Sequence, residues 1–238
     1  MRKLIFPLLA IFSFISANAQ KTINDPNVEL RSVGSFHAIV IMGGIDLYLS
    51  EGEEAVAVSA KDTKNRDRIK TEVKDGVLKI YNEFQDGVRI SIGKSPQMKA
   101  YVSYKTLEKL TASGGVDVMV DGTIQSKSLA LKISGGVDFK GRVDVEDLKV
   151  EQSGGTDVVI NGKAKNLYVE ASGGSDFKGY ELSTEVCYAI ATGASDISIT
   201  VSKEFSAEAS GASDVKWKGT AVVKKAESSG AGSVSHKS

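Results

Sequence analysis

Apolar and polar residues alternate along most of this chain. Val116, Val118 and Val120 lie on one side of an extended segment, with Asp117 and Met119 on the other. Leu129, Leu131 and Ile133 repeat the pattern, as do Leu148 with Val150, and then Leu167, Val169 and Ala171. Successive side chains of a strand point to opposite faces, so a period of two predicts strands rather than helices.

A five-residue mark interrupts the strands at regular intervals. It reads Ser113-Gly114-Gly115-Val116-Asp117, then Ser134-Gly135-Gly136-Val137-Asp138, Ser153-Gly154-Gly155-Thr156-Asp157 and Ser172-Gly173-Gly174-Ser175-Asp176. Thr192-Gly193-Ala194-Ser195-Asp196 and Ser210-Gly211-Ala212-Ser213-Asp214 follow, and Ser229 to Ser233 is a degenerate last copy. The copies are 21, 19, 19, 20, 18 and 19 residues apart. A second glycine mark, at Gly122, Gly141, Gly162, Gly179 and Gly219, falls between the strands. One such unit cannot bury its apolar face alone, but stacked units share a continuous core. The fold class predicted is therefore all-β: a parallel β-helix, or β-solenoid, with coils of about 19–20 residues. The general chirality of parallel crossovers makes it right-handed. The rival is an antiparallel sandwich or barrel. It gives no reason for alternate turns to share one sequence.

The first half carries one outlying copy, Met42-Gly43-Gly44-Ile45-Asp46, between strand-like segments at 38–41 and 47–49. Residues 69–73 and 77–81 flank Lys74-Asp75-Gly76, a hairpin signal. Further strands are expected at 56–58, 88–92 and 99–103, and 62–68 reads as a loop or short helical turn. Solenoids need caps, and this half is expected to supply one. The domain layout expected is a leader over 1–19 and one β-helix domain over 20–238. Within it, 20–112 are N-terminal strands and cap, 113–234 the regular repeats and 235–238 a loose tail.

These residues resemble a known family. Arg31-Ser32-Val33, Phe36 and Ile39, the Gly44-Ile45-Asp46 tripeptide, the segment from Ile69 to Ile80 and the Ser-Gly-Gly-x-Asp series are similar to the auto-transporter adhesin head domain, or head GIN domain, common in Bacteroidetes. The family's Gly-Ile-Asn reads Gly-Ile-Asp here, which keeps a short polar side chain. The resemblance implies a β-helix of the pectin-lyase kind, without conserved catalytic residues, and adhesion as the suggested role.

Composition narrows the chemistry. Lys+Arg and Asp+Glu are both 30, so no basic excess marks a nucleic-acid partner. One cysteine, Cys187, excludes an internal disulfide and a multi-thiolate metal site. Two histidines, His37 and His236, leave Ser-His-Asp schemes and imidazole zinc sites short of parts. Arg2 and Lys3, an apolar run over 4–15 and Ala17-Asn18-Ala19 read as a cleavable export signal. No other apolar run is long enough to span a bilayer as a helix. The expected location is the periplasm, the outer cell surface or the medium.

The aspartates Asp46, Asp117, Asp138, Asp157, Asp176, Asp196 and Asp214 form a ladder if the coils stack. Neighbouring carboxylates would then sit ~5 Å apart, at a cost of about 1–3 kcal/mol per ionised pair unless something offsets it. Hydrogen bonds from each Gly-rich turn are the expected offset. A calcium ladder is the alternative, but such sites want six to eight oxygens. No metal, cofactor or catalytic residue is assigned. The glycines Gly43, Gly44, Gly114, Gly115, Gly135, Gly136, Gly154, Gly155, Gly173, Gly174, Gly193 and Gly211 are read as structural, with the seven aspartates. Lys127, Lys140, Lys163, Lys165 and Lys178 read as a solvated face, Cys187 as a buried thiol, and Trp217, Tyr168, Tyr180 and Tyr188 as core or rim packing residues. The function expected is non-enzymatic recognition, adhesin-like, of a surface glycan or protein. A polyuronate-cleaving β-helix enzyme and a structural envelope module are the alternatives. Oligomerisation is left open.

Overall fold

The structure, a computed structural model, describes residues 25–83 and 97–237. The expected leader and the strand read at 88–92 lie outside the described residues. The elements are β1 (Glu29–Arg31), β2 (Ala38–Met42), β3 (Ile45–Glu51), β4 (Ala55–Ser59), α1 (Thr63–Asp67), β5 (Ile69–Lys74), β6 (Val77–Asn82), β7 (Met98–Tyr104) and β8 (Lys109–Ser113). They continue with β9 (Asp117–Ser134), β10 (Asp138–Gly154), β11 (Asp157–Gly173), β12 (Asp176–Gly193), β13 (Asp196–Gly211), β14 (Asp214–Lys218), β15 (Val222–Gly230) and β16 (Ser233–His236).

Strands β9 to β13 each make most of one coil, and every pairing among them is parallel. The result is a right-handed β-solenoid of about seven turns with coils of about 19 residues. The antiparallel alternative is thereby excluded. Antiparallel pairing is confined to the N-terminal end, where β5 lies on β6 and β4 on β7, with β1 outside β4. The β5–β6 hairpin turns through Asp75 and Gly76, both at positive φ, as a two-residue primed turn requires. Asp62 caps α1 by accepting a hydrogen bond from Asn65 N.

The inward residues stack in columns. One runs Leu129, Leu148, Leu167, Cys187 and Phe205, all buried, and another runs Val118, Phe139, Val158, Phe177, Ile197 and Val215. Two members of the second glycine mark turn out to serve this packing. Gly141 and Gly179 are not at positive φ and sit inside, two residues after Phe139 and Phe177. A Cβ on Gly141 would stand 3.0 Å from Phe139 Cζ, and one on Gly179 would stand 2.5 Å from Phe177 Cε1. Coils with a smaller first residue carry a large second one, as in Val158/Ile160 and Ile197/Ile199. The ring takes the space that a second side chain fills in other coils, so these glycines make room for a ring rather than bending the chain.

The tail was expected to be loose from Ser235. Instead Ser235 and His236 pair with Lys216 and Trp217, and the His236 ring meets the Trp217 ring edge-on at 4.2 Å. An aromatic stack of Phe205, Trp217 and His236 anchors that strand.

Candidate functional site

The repeated mark forms one corner of the solenoid. Its first glycine has φ between +71° and +89° in every copy, from Gly43 to Gly230, a region that L residues with a Cβ rarely enter. The second position divides the copies. Gly44, Gly115 and Gly136 are also at positive φ, whereas Gly155 and Gly174 are not. In the early type, Gly44 N and Gly115 N donate forward to Gly114 O and Gly135 O. In the later type, Gly174 N, Ala194 N, Ala212 N and Ala231 N donate back to the first glycine of the preceding copy. The peptide between the two corner residues has flipped. The fourth residue changes with it, from Ile45, Val116 and Val137 to Thr156, Ser175, Ser195 and Ser213, all buried. The later serines replace hydrophobic filling by bonds: Ser195 Oγ donates to Thr192 O and Ala171 O, and Ser213 Oγ to Ser210 O and Ala191 O.

The two corner types meet between Val137 and Thr156. Here Thr156 Oγ1 and both amide atoms of Gln152 are buried without a hydrogen-bond partner. Gln152 stacks between Ile133 and Ala171. Gln152→Leu is expected to raise stability by about 1–3 kcal/mol, because it removes two desolvated polar atoms at nearly constant volume. A urea midpoint that stays put or falls would show that the amide is satisfied in solution.

Two outward ladders flank the corner. On one side Ser113, Ser134, Ser153, Ser172, Thr192, Ser210 and Ser229 follow in register. On the other, Asp117, Asp138, Asp157, Asp176, Asp196 and Asp214 do the same, with Asp46 beyond Asp117. Between them stand only glycines and the methyl groups of Ala194, Ala212 and Ala231, and a shallow groove of about 360 Å³ opens along Gly155, Gly174 and Ala194 beside Asp157 and Asp176. Among the described residues, no carboxylate of this ladder accepts from the turn of its own copy. The bonds run between coils, because the carboxylate begins a strand and faces the coil beside it. Asp196 Oδ1 accepts from Asp214 N at 3.3 Å, and Asp214 Oδ1 accepts from Ser233 Oγ at 2.6 Å. Lys178 bridges Asp157 and Asp176 at 3.0 and 3.5 Å, and Lys216 bridges Asp196 and Asp214 at 3.5 and 3.0 Å. A lysine thus offsets the repulsion within two neighbouring pairs, Asp157/Asp176 and Asp196/Asp214. Among the described residues, no group of three or more His, Cys, Asp or Glu could hold a metal ion.

The ladder's ends titrate in opposite directions. Burial, and secondarily the Asp117 charge, push the Asp46 carboxyl above the ordinary aspartate value. Hydrogen bonds from Ser233 and then Lys216 hold Asp214 below it. A raised carboxylate destabilises the fold above its folded pKa, and that penalty lifts as pH falls through it. A lowered one stabilises above its unfolded pKa, and that gain is lost as pH falls through the folded value. Asp46→Asn is therefore expected to raise Tm at pH 7, and Asp214→Asn to lower it. Both differences should vanish at the acid end of the stable range in melts followed by circular dichroism. Shifts of the same sign for both would contradict this assignment.

Other expected residues fall as follows. Lys140 and Lys178 lie on the aspartate face, whereas Lys127, Lys163 and Lys165 lie elsewhere, exposed. Cys187 is buried, and burial pushes its thiol pKa up. Trp217 is buried, but Tyr168 and Tyr188 point outward side by side, 5.8 Å apart, on the serine side of the corner. Their hydroxyls donate to Glu170 and Glu208. A second groove, of about 350 Å³, lies next to them along Ile190, Thr192, Glu208 and Ser210. With Leu167, Val169 and Ala171 facing inward, Tyr168 falls on the outer face, and the register sets Tyr188 beside it.

A family described as "Putative auto-transporter adhesin, head GIN domain" matches residues 35–221. The chain belongs to this family. Among solved structures, this head-domain chain is similar to a "putative adhesin" from Bacteroides fragilis NCTC 9343, with a TM-score of 0.81, 20% identity and coverage of 90% of this chain and 98% of that one. A "putative adhesin" from Parabacteroides merdae ATCC 43184 matches with a TM-score of 0.68 and 15% identity, covering 89% and 96%. A "Putative lipid binding protein" from Parabacteroides distasonis ATCC 8503 matches with a TM-score of 0.66 and 16% identity, covering 90% and 98%. At these identities the likeness establishes the fold. No curated protein matches.

Proposed function

We propose that this head-domain chain is an exported, non-enzymatic recognition module that holds an extended surface ligand along the Ser-Gly-Gly-x-Asp corner. One observation carries the reading: the same hydroxyl and carboxylate recur in register on coil after coil, flanking a ridge of glycine and alanine alone. Carboxylates and hydroxyls set at ~4.8 Å suit the hydroxyl groups of a polymer lying parallel to the solenoid axis. Identical contacts along such a ligand add by multivalency, so weak individual bonds suffice. The family's adhesin description agrees with this role. The acidic ladder would repel a polyuronate, which weighs against the polyuronate-cleaving reading. Catalysis would also need two carboxylates of unlike environment set across one bond, and the two whose pKa values shift apart, Asp46 and Asp214, stand at opposite ends of the ladder.

A glycan array probed with the purified protein tests the reading. Binding should favour neutral or amine-bearing polysaccharides over uronates, and should strengthen with glycan length. Asp157→Asn combined with Asp176→Asn should weaken it without unfolding the chain. Release of unsaturated or reducing ends from a polyuronate would overturn the proposal, as would binding indifferent to glycan length.

A further inference from the structure

The C-terminal end of the solenoid leaves a strand edge uncovered. β15 pairs with β13 on one side, and among the described residues nothing pairs with its other side. Val223 continues the inward column below Phe205 yet is 45% exposed, and Val222 is 62% exposed. Ala226 and Ser228, inward by register with Ala207 and Ala209, are exposed as well. An open edge with apolar interior positions is a template for another strand.

We propose that two copies of this chain join tail to tail through β15, each strand pairing antiparallel with the other. The charge pattern of the strand selects the partner and the register. A two-fold axis perpendicular to the sheet must pair inward residues with inward ones and outward with outward. That condition holds when the axis passes through a residue rather than between two. Centred on Ala226, it sets Lys225 of each copy opposite Glu227 of the other, giving two cross-strand ion pairs. Centred on Lys225 or on Glu227, it sets a like charge against itself. Only the Ala226 register is attractive throughout. Lys225 lies 2.7 Å from Glu208 of β13 and 3.1 Å from Glu227 of its own strand, so the cross-strand pairs extend a charge network already on the outer face. Lys224, the extra residue of a bulge where the pairing shifts, limits the matched stretch and favours a reversible dimer over a fused sheet. At the other end the edge strands are β5, antiparallel to β6, and β1, which is three residues long and antiparallel to β4, so neither repeats the Lys-Ala-Glu pattern of β15. A two-fold pairing through β15 occupies that edge in both copies, so this contact closes at two.

Sedimentation velocity of the chain across a range of concentrations tests this. A monomer–dimer equilibrium is expected, with scattering that shows an end-to-end particle about twice as long. K225E and E227K, each folded by circular dichroism, should each weaken the dimer by roughly tenfold or more, because attraction turns to repulsion at two symmetric pairs. The double variant K225E/E227K should restore it, since the swapped strand is again self-complementary. A protein that stays monomeric to millimolar concentration would overturn the proposal. So would a dimer that both single variants leave intact, or one that the double variant fails to recover.

Discussion

Gly162→Ala is expected to destabilise the solenoid by roughly 3 kcal/mol or more, although the change adds a single methyl group. Gly162 has φ +108°, and a Cβ there would stand 2.0 Å from the carbonyl oxygen of Val143 in the coil beside it. That oxygen is backbone and belongs to the parallel pairing of β10 with β11, so it cannot swing aside as a side chain would. The internal control is Gly155→Ala. Gly155 is not at positive φ, no atom lies within 4 Å of its would-be Cβ, and alanine already occupies the equivalent corner at Ala194, Ala212 and Ala231. Its cost should stay within about 0.5 kcal/mol. Equal urea midpoints for the two variants would mean that coils β10 and β11 do not approach as described.

The pairing of Phe139 with Gly141 should show a large coupling. F139V alone removes most of a buried ring and should cost about 2–4 kcal/mol. G141I alone forces a branched side chain into the space that the ring and Val120 Cγ2 fill, at a further cost of about 1–3 kcal/mol or more. The double variant F139V/G141I reproduces the Val158/Ile160 arrangement of the next coil. It should recover about 2 kcal/mol or more relative to the sum of the single changes. Additive costs would show that the two positions do not share one volume.

Much of this architecture is written in the period of the chain. The alternation from Val116 to Ala171 and the recurrence of Ser-Gly-Gly-x-Asp place the coils, because only stacking buries a face that each unit leaves half exposed. The glycines were harder to read. Gly141 and Gly122 look alike in sequence, yet one makes room for a ring and the other takes a positive φ. The clue was the phenylalanine two residues earlier in Phe139-Lys140-Gly141 and Phe177-Lys178-Gly179. The corner was legible as a position, and alanine at Ala194 and Ala212 showed that its second residue need not take a positive φ; that Gly155 and Gly174 share the later conformation was not legible, since glycine accepts both signs of φ. The run Val116, Val137, Thr156, Ser175, Ser195, Ser213 carried that signal, and it reads as an arbitrary position until one sees that it faces inward. The aspartate ladder was legible too. Its partners were not, because Lys178 and Lys216 reach carboxylates of the preceding coil, far along the chain.

The flip of the corner peptide divides the molecule into two grammars. In the rungs that carry Ser175, Ser195 and Ser213 the corner meets its neighbours with the same backbone donors and acceptors and a buried hydroxyl, so a rung could be duplicated or deleted there and its neighbours would still fit. A rung moved across the junction would bring a mismatched amide with it, as the orphaned atoms of Gln152 and Thr156 already illustrate. The length of such a molecule is thus free to drift on one side of that line and held on the other.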